Sequence, residues 1–151
     1  MQGFNRRGFL KTVGISTVVM GLSSVAALKR GHAEDVDWFQ NINRVKDPLN
    51  KTPKEKGHAP VINWPINIKS GEPFTVDIQV GENLHPMTAN HYIQWIEVYL
   101  GTEQVVRTEF SPSCPQAKIT IPIVLKESAA LRVVTRCNLH GIWDSVKTIA
   151  V

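Results

Sequence analysis

Cysteine is scarce in this chain of 151 residues: Cys114 and Cys137 are the only two. That allows a single intrachain disulfide at most, and it argues against a structural zinc site, which usually takes more thiolates. Acidic residues are missing altogether from positions 1 to 33, a stretch that carries five basic ones, Arg6, Arg7, Lys11, Lys29 and Arg30. Without it, 12 Lys and Arg stand against 13 Asp and Glu, a net charge of −1. The pI of about 9.2 therefore belongs largely to the first residues and gives no ground for nucleic-acid binding. Internal repeats and low-complexity tracts are absent too, and the 118 residues from Glu34 onward suit one domain with one core.

The opening stretch "NRRGFLKTVGISTVVMGLSSVAALKRGHA" pairs Arg6 and Arg7 with a run from Thr12 to Leu28 that has no charge. It resembles a twin-arginine export signal. The 17 residues of that run sit at the lower limit for a spanning helix, so an uncleaved membrane anchor is the alternative. Gly14, Ser16, Gly21, Ser23 and Ser24 dilute its apolarity, and Gly31-His32-Ala33 offers a peptidase small residues. The expected organisation is a signal at 1–33, an N-terminal extension at 34–51 and a folded domain at 52–151.

Between 34 and 57, Val36, Phe39, Ile42 and Val45 recur at helical spacing, which predicts a short helix followed by a loop. From Pro60 the period becomes two and β-branched residues dominate, in "VINWPINI", "FTVDIQV", "HYIQWIEVYL", "EQVVRTEF", "KITIPIVL", "AALRVVTRC" and "SVKTIAV". Breaks fall at Ser70 to Pro73, Gly81 to Asn83, Gly101-Thr102, Ser111 to Pro115 and Glu127-Ser128. Seven short strands spaced this way predict an all-β, antiparallel immunoglobulin-like sandwich.

Four histidines follow residue 33: His58, His85, His91 and His140. Each lies at a strand end or in a loop, where a rigid sandwich presents functional groups. In "HPMTANH" an extended chain would hold the two imidazoles about 20 Å apart. Pro86 cannot donate to a ladder and Asn90 favours turns, so the segment is expected to fold back and unite them. In "CNLHGIWDS", Cys137 and His140 are close enough in a turn to point at one atom, with Gly141 relieving the backbone behind them. Four imidazoles and a thiolate make five donors, one more than a tetrahedral zinc site uses. Imidazole suits iron, copper, nickel and zinc, and five donors leave a position for chemistry or a small ligand.

The segments "EKGHAPVI", "HPMTANHYIQWIEVYLG" and "CNLHGIWDS" closely resemble the superoxide reductase family, the iron domain shared by neelaredoxin and desulfoferrodoxin. The resemblance spans roughly residues 52 to 151. It implies a mononuclear iron centre with His58, His85, His91 and His140 as equatorial ligands and Cys137 as axial thiolate, reducing superoxide to hydrogen peroxide. The four-cysteine, rubredoxin-like iron site of desulfoferrodoxins has no counterpart here. The family's Glu-Lys directly before the first histidine is displaced by Gly57, so Lys56 as guide for the anion and Glu55 as ligand of the oxidised centre are carried over onto shifted positions, with Gly57 expected to loosen that loop. Trp143 and Pro86 are expected to shield the site, and the amides around Asn138, Leu139 and His140 to donate to the sulfur. An unidentified electron donor is implied, a rubredoxin-like protein or a c-type cytochrome, with homo-oligomers allowed.

Other classes compete. A Cys114–Cys137 disulfide in an exported binding module would remove the axial ligand and leave the histidines unexplained. A blue-copper carrier suits a cysteine and a nearby histidine at the end of a β-sandwich, but no methionine follows Cys137 and two histidines would be superfluous. An exported electron-transfer or ligand-binding metalloprotein without reductase activity is the remaining alternative.

Overall fold

Alternating side chains along each strand put one face into the core, and the strands pair accordingly. The computed structural model describes residues 39–151; the expected signal at 1–33 and Val36 lie outside the described residues. After α1 (Pro53–His58) come β1 (Pro60–Asn63), β2 (Pro73–Val80), β3 (Ile93–Leu100), β4 (Glu103–Glu109), β5 (Lys118–Val124), β6 (Ala129–Cys137) and β7 (Gly141–Ile149). All strand pairings are antiparallel, in two sheets of order β1-β2-β5 and β4-β3-β6-β7. Val76, Ile78 and Val80 from β2, Ile121 and Ile123 from β5, Ile96 and Val98 from β3, and Leu131 and Val133 from β6 fill the space between them. Cys137 belongs to the same buried cluster, so the end of the core is also the floor of the histidine site. This is the seven-stranded sandwich the alternation predicts.

The helix lies elsewhere than the periodicity places it. Residues 39–45 form a turn and an isolated parallel bridge between Asn43 and Trp143 rather than helix. Tertiary contacts hold Phe39 in place of helical ones. Phe39 lies under the Arg132 guanidinium, 4.0 Å from its ring centre, and edge-on to Tyr99. The observed helix is α1, within the stretch expected to be loop. Thr52 caps it and Pro53 opens it. Glu55 completes a capping box by accepting from the Thr52 backbone N–H at 2.7 Å and the Thr52 hydroxyl at 2.9 Å.

Gly57 sits inside this helix, at its last turn, where it does not loosen a loop. Among the described residues, no helix is long and apolar enough to cross a membrane.

Candidate metal centre

Three separate segments deliver the histidines to one end of the sandwich. His58 ends α1. Its helix is clamped to the turn after β2, where Glu82 N–H donates to Lys56 O at 2.7 Å and Gly81 N–H to Ala59 O at 3.1 Å. Gly81 makes that approach feasible. Its φ is +81°, and a Cβ there would stand 2.4 Å from Asn83 O and 2.7 Å from Gly57 O. The same turn leads into His85, so the clamp brings His58 and His85 to a ring separation of 4.7 Å.

The chain then folds back as expected. Thr88 and His91 exchange backbone bonds of 2.9 and 3.1 Å, which sets the His85 and His91 rings 4.5 Å apart. A bulge between Ile93 and Trp95 lets Ile93 pair with Cys137 immediately beyond the turn. Asn138 staples that turn to the next one. Its side chain donates to Asn90 O at 3.0 Å and accepts from Tyr92 N–H at 2.9 Å. Its own N–H goes to Tyr92 O at 3.1 Å rather than to the Cys137 sulfur.

The four rings form a circuit. Successive centroids, in the order His58, His85, His91, His140 and back, lie 4.7, 4.5, 4.8 and 4.6 Å apart, with neighbouring planes steeply inclined. His140 Nδ1 stands 2.8 Å from His58 Nε2, 3.2 Å from His91 Nε2 and 3.6 Å from Cys137 Sγ. Donor atoms of His58, His85, His91 and Cys137 all lie within 4.8 Å of one another. All five expected ligands are therefore gathered.

Their protonation suits a cation. The second nitrogens of two rings are tied to carbonyls, His58 Nδ1 to Lys54 O and His85 Nδ1 to Pro86 O, each at 2.7 Å. Each Nδ1 then carries the proton and each Nε2 lone pair faces the others. His85 Nε2 is buried without a hydrogen-bond partner. Burial pushes the His85 imidazole down to about 4, and burial likewise lowers His58 and His140. Neutral imidazoles with convergent lone pairs repel one another unless a positive ion lies among them, and such an ion would give the orphaned His85 nitrogen a partner. Nitrogen donors with one thiolate fit iron.

Trp143 braces two of the four histidines at once. It stacks on His58 at 5.3 Å, and its indole N–H donates to His140 O at 3.1 Å. Pro86 contributes its carbonyl to His85 and is itself exposed. Gly141, with φ +76°, allows the reversal between Cys137 and β7. Both cysteines are free, Cys114 half-buried in the connection after β4.

The two residues expected to act over the centre are placed differently. Glu55 is buried, and its carboxylate accepts from Thr52 and, at 3.0 Å, from Lys46 N–H. Those bonds, the Thr52 backbone N–H foremost, hold its carboxyl below the usual range. Lys56 is exposed. Two residues before His58 on a helix is about 200° away around the axis, whereas four residues before is nearly aligned. That aligned residue is Lys54, whose charge bears on both His58 and His140. The i to i+4 spacing was the signal that could have found it.

A seven-stranded sandwich carrying four histidines and a cysteine at one end defines a mononuclear metal domain. The desulfoferrodoxin family profile matches residues 50–146. A Methanocaldococcus jannaschii protein, named provisionally as a superoxide reductase, is 39% identical over 114 residues, covering 74% of this chain and 95% of that one. The superoxide reductase of Pyrococcus furiosus is 33% identical over 115 residues, covering 64% and 90%. Among solved structures, the superoxide reductase (neelaredoxin) of Ignicoccus hospitalis superposes with a TM-score of 0.63 at 33% identity, covering 73% of this chain and 94% of that one. The chain belongs to the desulfoferrodoxin family.

Proposed function

We propose that His58, His85, His91, His140 and Cys137 hold one iron ion and that the chain is a superoxide reductase. The observation that carries this reading is the circuit of four imidazoles over one buried thiol, with His85 Nε2 buried and unpaired. Bound there, iron supplies the single electron that superoxide takes up, with two protons, to leave as hydrogen peroxide. Cys137 contributes negative charge from the core side, at 1% exposure. His91 and His140 are only half-buried, so solvent and a small anion reach the histidine circuit. The reduced, iron-loaded protein should consume superoxide generated by pulse radiolysis and yield one peroxide per superoxide without evolving dioxygen. A yield of half, with dioxygen, would mean dismutation and overturn the reading.

Lys54 takes the guiding role in this reading, in place of Lys56. A cation near the site raises the encounter rate of an anion, an effect that fades as salt shortens the ~8 Å Debye length of physiological ionic strength. Lys54→Ala should slow capture of superoxide about 10-fold and flatten its salt dependence. Lys56→Ala should do little. Equal effects from both, in the same radiolysis series, would mean that no single lysine guides the anion.

Residues 1–33 serve, in this proposal, as a twin-arginine signal that exports the folded protein, supported by Arg6-Arg7 and the uncharged run behind them. A small redox protein of the rubredoxin or c-type cytochrome class returns the electron. Mass spectrometry of the mature N-terminus tests the first point: an intact Arg6-Arg7 in the exported protein would count against cleavage.

A further inference from the structure

We infer that residues 39–44, a strap outside the family match at 50–146, position the metal centre through Trp143, with Asn43 as the positioning residue. The inference rests on reading the five side chains as metal ligands and not on superoxide being the substrate.

Asn43 brackets Trp143 from both sides. Its N–H donates to Ile142 O at 3.0 Å, and its carbonyl accepts from Asp144 N–H at 3.0 Å. Its side chain adds a bond to Ile142 O at 2.8 Å and reaches His140 O at 3.5 Å. The residue so held stacks on His58 and donates to the His140 carbonyl. One strap residue thus fixes the indole that touches ligands from two different segments, and its amide also braces the turn carrying Cys137 and His140.

The strap is anchored at both ends of this contact. Arg44 Nε donates to Asp144 Oδ1 at 2.6 Å, and Arg132 pairs with the other oxygen of that fully buried carboxylate. Arg44 also donates to Phe39 O at 2.9 Å, closing the strap on itself around Asn41, whose φ of +60° turns the chain. A strap that served only to cover the sheet would need Phe39 and the ion pair. The Asn43 amide is spent instead on the carbonyls of the ligand-bearing turn.

Partners behind metal ligands typically change metal affinity 10- to 100-fold when removed. The test uses the full domain reloaded with cobalt(II), whose cysteine-to-metal absorption reports the Cys137 contact, and follows cobalt loss to excess chelator. Asn43→Asp keeps the size and the backbone bridge and removes the amide donor, and Asn43→Ala removes the side chain. Both should release cobalt about 10-fold faster than the unaltered chain and shift the absorption band. Gln40→Ala, an exposed change on the same strap, should do neither.

Denaturation midpoints of the apo forms are measured in parallel, because a merely structural role would lower the midpoint and leave the band in place. Unaltered release and an unmoved band in both Asn43 variants would overturn the inference. A parent chain that takes up no cobalt would overturn the metal reading beneath it.

Discussion

Cys137→Ser should give a folded chain whose iron-loaded, oxidised form has lost its visible absorption and whose reaction with superoxide falls to background. Cys137 ends β6 in the buried cluster, and serine nearly matches its size, so the sandwich should close as before. What changes is charge. A thiol gives up its proton readily to a metal, with an ordinary pKa of about 8.5, whereas an aliphatic hydroxyl buried at this position stays neutral. The imidazoles then face the ion without the one anionic donor. Anaerobic loading, oxidation and a visible spectrum check this. A surviving band would remove Cys137 from the ligand set, whatever its position in the fold.

Gly81→Ala should be nearly as damaging from a residue that touches no ligand. A Cβ at Gly81 would meet backbone on both sides, Asn83 O at 2.4 Å and Gly57 O at 2.7 Å, and neither can rotate away. The positive φ adds its own penalty. Left-handed backbone costs about 1–2 kcal/mol for a residue with a Cβ, and overpacking typically 1–3 kcal/mol more. A loss of about 2–5 kcal/mol in denaturant titration is therefore expected. Because α1 would move off the turn, His58 and His85 would separate and iron content after loading should fall with stability. Gly57→Ala is the internal control: its Cβ meets nothing within 4 Å, its φ is not positive, and alanine favours the helix. Retention of full iron by Gly81→Ala would show that the clamp between α1 and the β2–β3 turn does not set the His58–His85 pairing.

The strands and the candidate positions of the four histidines and Cys137 are legible because both are written locally. Alternation over seven or eight residues is its own signal, and a histidine in "CNLH" needs only a turn to reach its cysteine. The strap does not form the helix its periodicity predicts because Phe39 is held by Arg132 and Tyr99, and Asn43 by Trp143, none of them near in sequence. Glu55 is the opposite case. Its capping box with Thr52 is a four-residue pattern visible in "TPKE", whereas the resemblance places the acid only by its distance from His58. Lys54 and Lys56 could be told apart only once the segment was known to be helical, since loop residues have no fixed angular phase. Gly81 and Asn43 each lie close to backbone far along the chain, Gly57 O and Ile142 O, which no sequence window contains.

The separation of the proposed ligands along the chain ties iron to folding itself. His58 and His140 meet across 82 residues, and the centre is assembled only after β3 has paired with β6 and α1 has docked on the far turn. An unfolded chain offers an ion little beyond the local Cys137–His140 and His85–His91 pairs. The free energy of binding therefore counts almost wholly toward the native state, growing with the logarithm of free metal over its dissociation constant. Loading waits on a topology dominated by non-local pairings, which forms slowly compared with helical bundles.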